Sequence, residues 1–275
     1  MVSVKTQEKF VSGLTQRYIS KELLHFVGRG MDTGEQFSLF VKILSEGWIT
    51  HPPHNPNISG NLQVNGEASI SNNEMYSPEI TCFADIPLED ISLHMGKYSS
   101  IGLSFTKDFI AAAGGVPVHY LPIDASVNRL KNLNSENIQK IVSEYGHDSL
   151  AEHMSETVSK GQHFDEMLSE YHELFDIFRT LAREADPTPG VSGLSKRVME
   201  LERFLGFHLF SYFKFFDHRK ADDDPDNYYF EREWRIVGNL RFTLDDVKTV
   251  LIPNEFSRAF RERFPEYVGQ VVFTD

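Results

Sequence analysis

The chain has 275 residues, 40% of them apolar and 12% aromatic, which excludes a disordered protein and suits one large domain or a domain with a substantial insertion. A formal charge of −13 argues against broad electrostatic attraction to nucleic acid or to anionic membrane. One cysteine, Cys82, leaves no internal disulfide or cysteine-rich zinc site; without a signal-peptide core or a run of ~18 to 20 apolar residues, the expectation is a soluble, cytoplasmic protein.

In chain order, 22–27 (ELLHFV) reads as a strand and 33–46 as an amphipathic helix carrying Phe37, Phe40, Val41 and Leu44, stopped by Gly47. The stretch 51–78, rich in Pro, Asn, Ser and Gly, reads as a long surface loop. Strands follow at 80–83, 101–105 and 116–121, the second apolar enough to be central, with a short helix running through His94. From about 134 to 217 the pattern becomes helical, with Met167, Tyr171, Leu174 and Phe178 on one stripe and Val198, Leu201, Leu205 and Leu209 on another. The aromatic run 204–216 reads as buried packing. After a charged linker holding Asp222, Asp223 and Asp224, strands are expected at 228–238, 248–252 and 270–273, and a helix at 254–264. The fold class is therefore α+β, a single domain with a mixed or mostly antiparallel sheet and a helical insertion at about 127–217.

The segment 228–237 (YYFEREWRIV) carries the most chemistry. As a strand it puts Glu231, Glu233 and Arg235 on one face, with Phe230, Arg232, Trp234 and Ile236 on the other. Two carboxylates and a guanidinium on one wall suit binding a sugar and stabilising positive charge on it; a half-buried strand with a self-paired charged face is the plainer alternative. His25, at a strand end before Gly28-Arg29-Gly30, has the donors to hold a ribose or carboxamide, or serves the fold. Tyr98, ahead of the central strand, offers a ring to stack on a planar base, or covers the sheet end, while Lys97 could meet a phosphate. His51 and His54 lack further ligands for a metal, and Cys82 on a buried strand fits a small core residue better than a nucleophile. No metal site is expected. Gly-x-Ser-x-Gly, Walker and Gly-x-Gly-x-x-Gly signatures are all missing from the sequence.

The ordered motifs ISKELLHFVGR (19–29), LFVKILSEGWITHPPH (39–54), CFADIPLEDISLHMGKYSSIGLSF (82–105) and YFEREWRIVGNLRF (229–242) resemble the AbiGi family of abortive phage-resistance proteins. The resemblance covers most of the chain apart from 127–217. It implies an antiviral role in abortive infection, as toxin or antitoxin, with the opposite member of a toxin-antitoxin pair as partner. The same chain also resembles ADP-ribosyltransferases, through His25, then Tyr98 or Ser104, then Glu231-Arg232-Glu233. That similarity implies NAD as substrate. His25 would hold its ribose, Arg29 and Ser104 would join the NAD-binding set, and Tyr98 would stack on nicotinamide. Glu233 would bind the ribose 2′-hydroxyl and stabilise an oxocarbenium-like centre, with Glu231 orienting the acceptor. Two classes of function thus stay open: an NAD-dependent transferase, and a non-catalytic antitoxin or sensor acting by protein binding.

Overall fold

The structure is a computed structural model that describes residues 20–51, 56–57, 60–124, 126–127, 143, 162–185, 193–221, 224 and 227–274. The chain divides into two compact units, one built from 1–60, 79–118 and 222–275 and the other from 61–78 and 119–221.

The first unit is organised around a seven-stranded sheet. Its strands are β1 (Glu22–Phe26), β2 (Ile80–Ala84), β3 (Gly102–Thr106), β4 (Val116–Pro117), β5 (Glu233–Val237), β6 (Val247–Ile252) and β7 (Gln270–Phe273), in the spatial order β7-β6-β3-β1-β2-β5-β4. All neighbours are antiparallel except β6 and β7, so the α+β class with a mostly antiparallel sheet holds. β3 is central and buried from Gly102 to Phe105, as its apolar run required.

Strand alternation sends Leu23, Leu103, Phe105, Ile236 and Val250 to one face, where they form the main core with Phe40 and Phe260. The opposite face carries a smaller cluster of Leu24, Ala84, Ile86, Ile91 and Leu251. Phe40 belongs to α1 (Thr33–Glu46), which starts at a capping box: Asp32 Oδ1 accepts from the Glu35 amide at 2.9 Å, and Glu35 Oε2 accepts from the Asp32 amide at 3.3 Å. Gly47 ends it with φ 68°, and its carbonyl accepts from the Phe242 amide at 2.9 Å.

In the second unit, α3 (Phe164–Ala185) and α4 (Leu194–His208) accompany small strand pairs. Within the segment read as a surface loop, Leu62–Val64 instead pairs antiparallel with Tyr76–Pro78. Its asparagines do structural work. Asn73, itself left-handed at φ 59°, clasps the Phe215 backbone, donating Nδ2 to the carbonyl at 2.9 Å and accepting from the amide at 2.7 Å. The strand expected at 116–121 is split: Val116–Pro117 belongs to the large sheet, and His119–Pro122 pairs in parallel with Phe213–Phe216. The aromatic run buries Phe210, Tyr212 and Phe215, but Phe204 stays 57% exposed.

A side chain at Gly47 would meet two penalties at once. The left-handed backbone costs roughly 1–2 kcal/mol for an L-residue, and an added Cβ would lie 2.6 Å from the Phe242 carbonyl oxygen. Gly47→Ala is expected to lower unfolding free energy in urea by at least that amount. Gly34→Ala, in the first turn of α1 with room for the methyl, should raise it slightly.

Candidate functional site

The glutamate segment does not form one continuous strand. Tyr228–Glu231 is a turn of 3₁₀ helix, Arg232 takes a left-handed backbone at φ 41° and ψ 53°, and β5 begins only at Glu233. The kink aims the two carboxylates at different partners. Glu231 is buried and accepts from Lys97 Nζ at 2.7 Å and from the Tyr98 hydroxyl. Glu233, also buried, takes Arg235 Nε at 2.6 Å and Nη2 at 3.3 Å, a fork from the neighbouring same-face position of its own strand.

Lys97 and Tyr98 come from α2 (Ser92–Lys97) and its C-terminal cap. The Tyr98 ring stacks on Phe26 at 5.8 Å, and the Arg29 guanidinium lies 5.2 Å from its centroid. Burial pushes the Tyr98 phenol far above its ordinary range, and the Glu231 charge, the hydrogen bond to it and the Glu233 charge push the same way. Tyr98 therefore stays protonated as a donor.

His25 lies on the other side of the sheet. Alternation along β1 sends Phe26 and Leu24 to the Tyr98 face and His25 to the main-core face, where its ring meets Phe83 at 5.7 Å. Its Nδ1 donates to the Cys82 carbonyl at 2.9 Å, which fixes the tautomer. Desolvation lowers its pKa despite that bond, with the nearby His51 adding to the lowering.

Ser104 does share the Glu233 face. Cα pairing sets Ser104, Leu24, Ala84 and Glu233 in one row across β3, β1, β2 and β5. Three strand spacings separate its ends, roughly 14 Å. The Ser104 hydroxyl donates to Glu22 Oε2 at 2.5 Å and accepts from the Thr249 amide at 3.0 Å, beside a groove of about 600 Å³. Tyr98, Arg29, Glu231 and Lys97 are thus brought together. Ser104 lies across the sheet from Glu233, and His25 lies behind it.

His94, given no chemical role by its sequence context, stands on α2 four residues before Tyr98. It is 7% exposed, its Nδ1 has no hydrogen-bond partner, and it lines a cavity of about 10 Å³ beside Lys97 and Glu231. That is the space of a single water. A buried His next to a half-buried Lys and a buried Glu is a tertiary fact without a local signal. Among the described residues no group of three or more His, Cys, Asp and Glu could hold a metal ion. His54, Asp222 and Asp223 lie outside those residues, and His51 bonds the Ile80 carbonyl. Cys82 is half-buried.

Residues 59–186 match the family model described as "Putative abortive phage resistance protein AbiGi, antitoxin". The chain carries an AbiGi-family region. The AbiGi match includes the 82–105 motif and extends through α3, whereas the 19–54 and 229–242 motifs fall outside it. For 127–186 this corrects the expectation that 127–217 stands apart from the resemblance, while 187–217 does lie outside the match. No curated protein and no solved structure matches the chain. Among the described residues no helix is long and apolar enough to cross a membrane.

Burial lowers the His94 pKa from 6.5, Glu231 opposing and Lys97 and Arg232 adding to the lowering. The unfolded chain then binds a proton that the folded chain refuses. Stability contributed by neutral His94 is present above about 6.5 and falls as pH drops below it. Urea midpoints measured from pH 8 to 5 should decline below that point. His94→Gln should flatten part of the decline, and an unchanged slope would show that His94 does not contribute.

Proposed function

We propose that this chain is a non-catalytic antitoxin of an abortive-infection system, acting by binding a partner toxin. The AbiGi match over residues 59–186 suggests the pathway. The observation that carries the non-catalytic part is the pairing of both glutamates within the fold: Glu231 with Lys97 and Tyr98, Glu233 with Arg235. Such carboxylates are held as structural anions, each matched by a buried or half-buried cation. The net charge of −13 suits a basic partner surface and works against a nucleic-acid target.

The transferase reading makes a different demand, that His25, Tyr98 and Glu233 surround one NAD. His25 faces the main core while Tyr98 and Glu233 occupy the opposite face, so the geometry lends that reading no support. Its consequences are still open to measurement. Purified protein incubated with labelled NAD should release no nicotinamide above a blank, and Glu233→Gln should behave like wild type. In a plating assay the chain alone should leave growth unchanged and should restore colonies of cells expressing the partner toxin, with Glu233→Gln restoring them equally. NAD turnover abolished by Glu233→Gln would reverse the assignment.

A further inference from the structure

The longest described helix of the second unit, α3, shows a wide apolar surface that the core does not use. Leu168, Phe175 and Ala182 recur every seventh residue on α3 and are buried. A second stripe, Leu174, Ile177, Phe178 and Leu181, has every member at least 53% exposed. At 100° per residue these four fall within about 100° of arc, and the buried stripe begins immediately beside them. Helical spacing puts Leu174 and Phe178 on one stripe with Met167 and Tyr171. An apolar arc this wide does not reveal which half packs inward, and the structure turns these two out.

The free edge of the outward stripe is acidic. Glu166, Glu173 and Glu184 project along it, all exposed, and Glu170 falls within the apolar arc between Ile177 and Leu181. The helix carries six acids (Asp165, Glu166, Glu170, Glu173, Asp176, Glu184) against two arginines (Arg179, Arg183), a net charge of 2 − 6 = −4. Arg179 pairs with Asp176 and with Glu202 of α4, away from this edge. Glu184 stands in the last helical turn, where the helix dipole disfavours a carboxylate, so its position does not serve helix stability.

We infer that the outward stripe of α3 is the docking surface for a partner protein, and that the partner presents an apolar helix edged with Lys or Arg. Four exposed large apolar side chains within two turns mark a recognition surface rather than scattered surface hydrophobes. The glutamate edge selects a cationic rim and disfavours a second copy of this chain, which would bring two like-charged edges and two chains of charge −13 together. The inference rests on the antitoxin reading, and the AbiGi match includes the whole of α3.

The probe is a fluorescein-labelled 22-residue helical peptide of Leu and Lys, with Leu on one stripe and Lys on both edges, together with a Leu/Glu twin. In anisotropy titrations of the full chain at 0.15 M salt, a choice that screens long-range charge, the Leu/Lys peptide should bind at least tenfold tighter than the twin. Phe178→Asp adds negative charge, so diffuse attraction to the cationic peptide would strengthen or hold. Docking on the stripe instead predicts at least a tenfold loss, with an unchanged urea midpoint because Phe178 is exposed. Glu173→Lys with Glu184→Lys should weaken binding at least fivefold. Wild-type binding by Phe178→Asp overturns the inference. So does a wild-type dimer in light scattering that Phe178→Asp converts to monomer, since the stripe would then serve a second copy. In the plating assay, toxin neutralisation by wild type but not Phe178→Asp supports the surface. Neutralisation by both removes the surface and leaves the antitoxin reading standing, whereas failure of wild type to neutralise removes that reading.

Discussion

Lys97 keeps only 9% of its side chain exposed, and its ammonium must be offset where it stands. The offset comes from Glu231, 134 residues further along the chain. To reach it the backbone leaves the extended conformation at Arg232, accepting a left-handed residue that is not glycine, and begins β5 one residue later. Everything on that face of the sheet is arranged around this choice. Tyr98 follows Lys97 and donates to the same carboxylate, Phe26 backs its ring, Arg29 covers it, and Glu233 is left to pair with Arg235. A buried ion pair of this kind is weak evidence for net stability, but removing either partner is costly, which is how it specifies one local conformation.

The same arrangement bears on function. A carboxylate that works on a ribose needs access and a set of groups converging on one ligand. Glu231 and Glu233 are buried and paired, and the histidine that would complete the set looks into the opposite core. The second unit presents a different kind of surface, with α3 exposing an apolar stripe edged by exposed glutamates. The antitoxin proposed above would work by association, for which that stripe offers better recognition chemistry than a polar cluster closed on itself.

Much of the fold was legible because periodicity and punctuation agree with the tertiary result. The 33–46 helix has its capping box and its glycine stop, and the central strand has the apolar run of an element buried on both faces. The errors share a cause in tertiary competition. Tyr228 to Trp234 has strong strand propensity, yet pairing with a distant lysine turns half of it into a 3₁₀ helix. Asparagines that look like loop chemistry in 51–78 include Asn73, which clasps a backbone 142 residues away. The candidate site was half visible: the polar residues were found, but face assignment depends on register. His25 and Tyr98 cannot be sorted to opposite faces until β1 is paired with β2 and β3.

The central claim, that Glu231 and Lys97 exist to satisfy each other within the fold, is tested most directly by a double-mutant cycle. Urea unfolding of Lys97→Met, Glu231→Gln and the double variant gives the coupling free energy. Each single change should cost about 3 kcal/mol or more, because it strands a buried charge, and the double variant should be much less destabilised than the sum. Additive losses would mean that the two groups are not coupled, and would return Glu231 to the pool of residues available for chemistry.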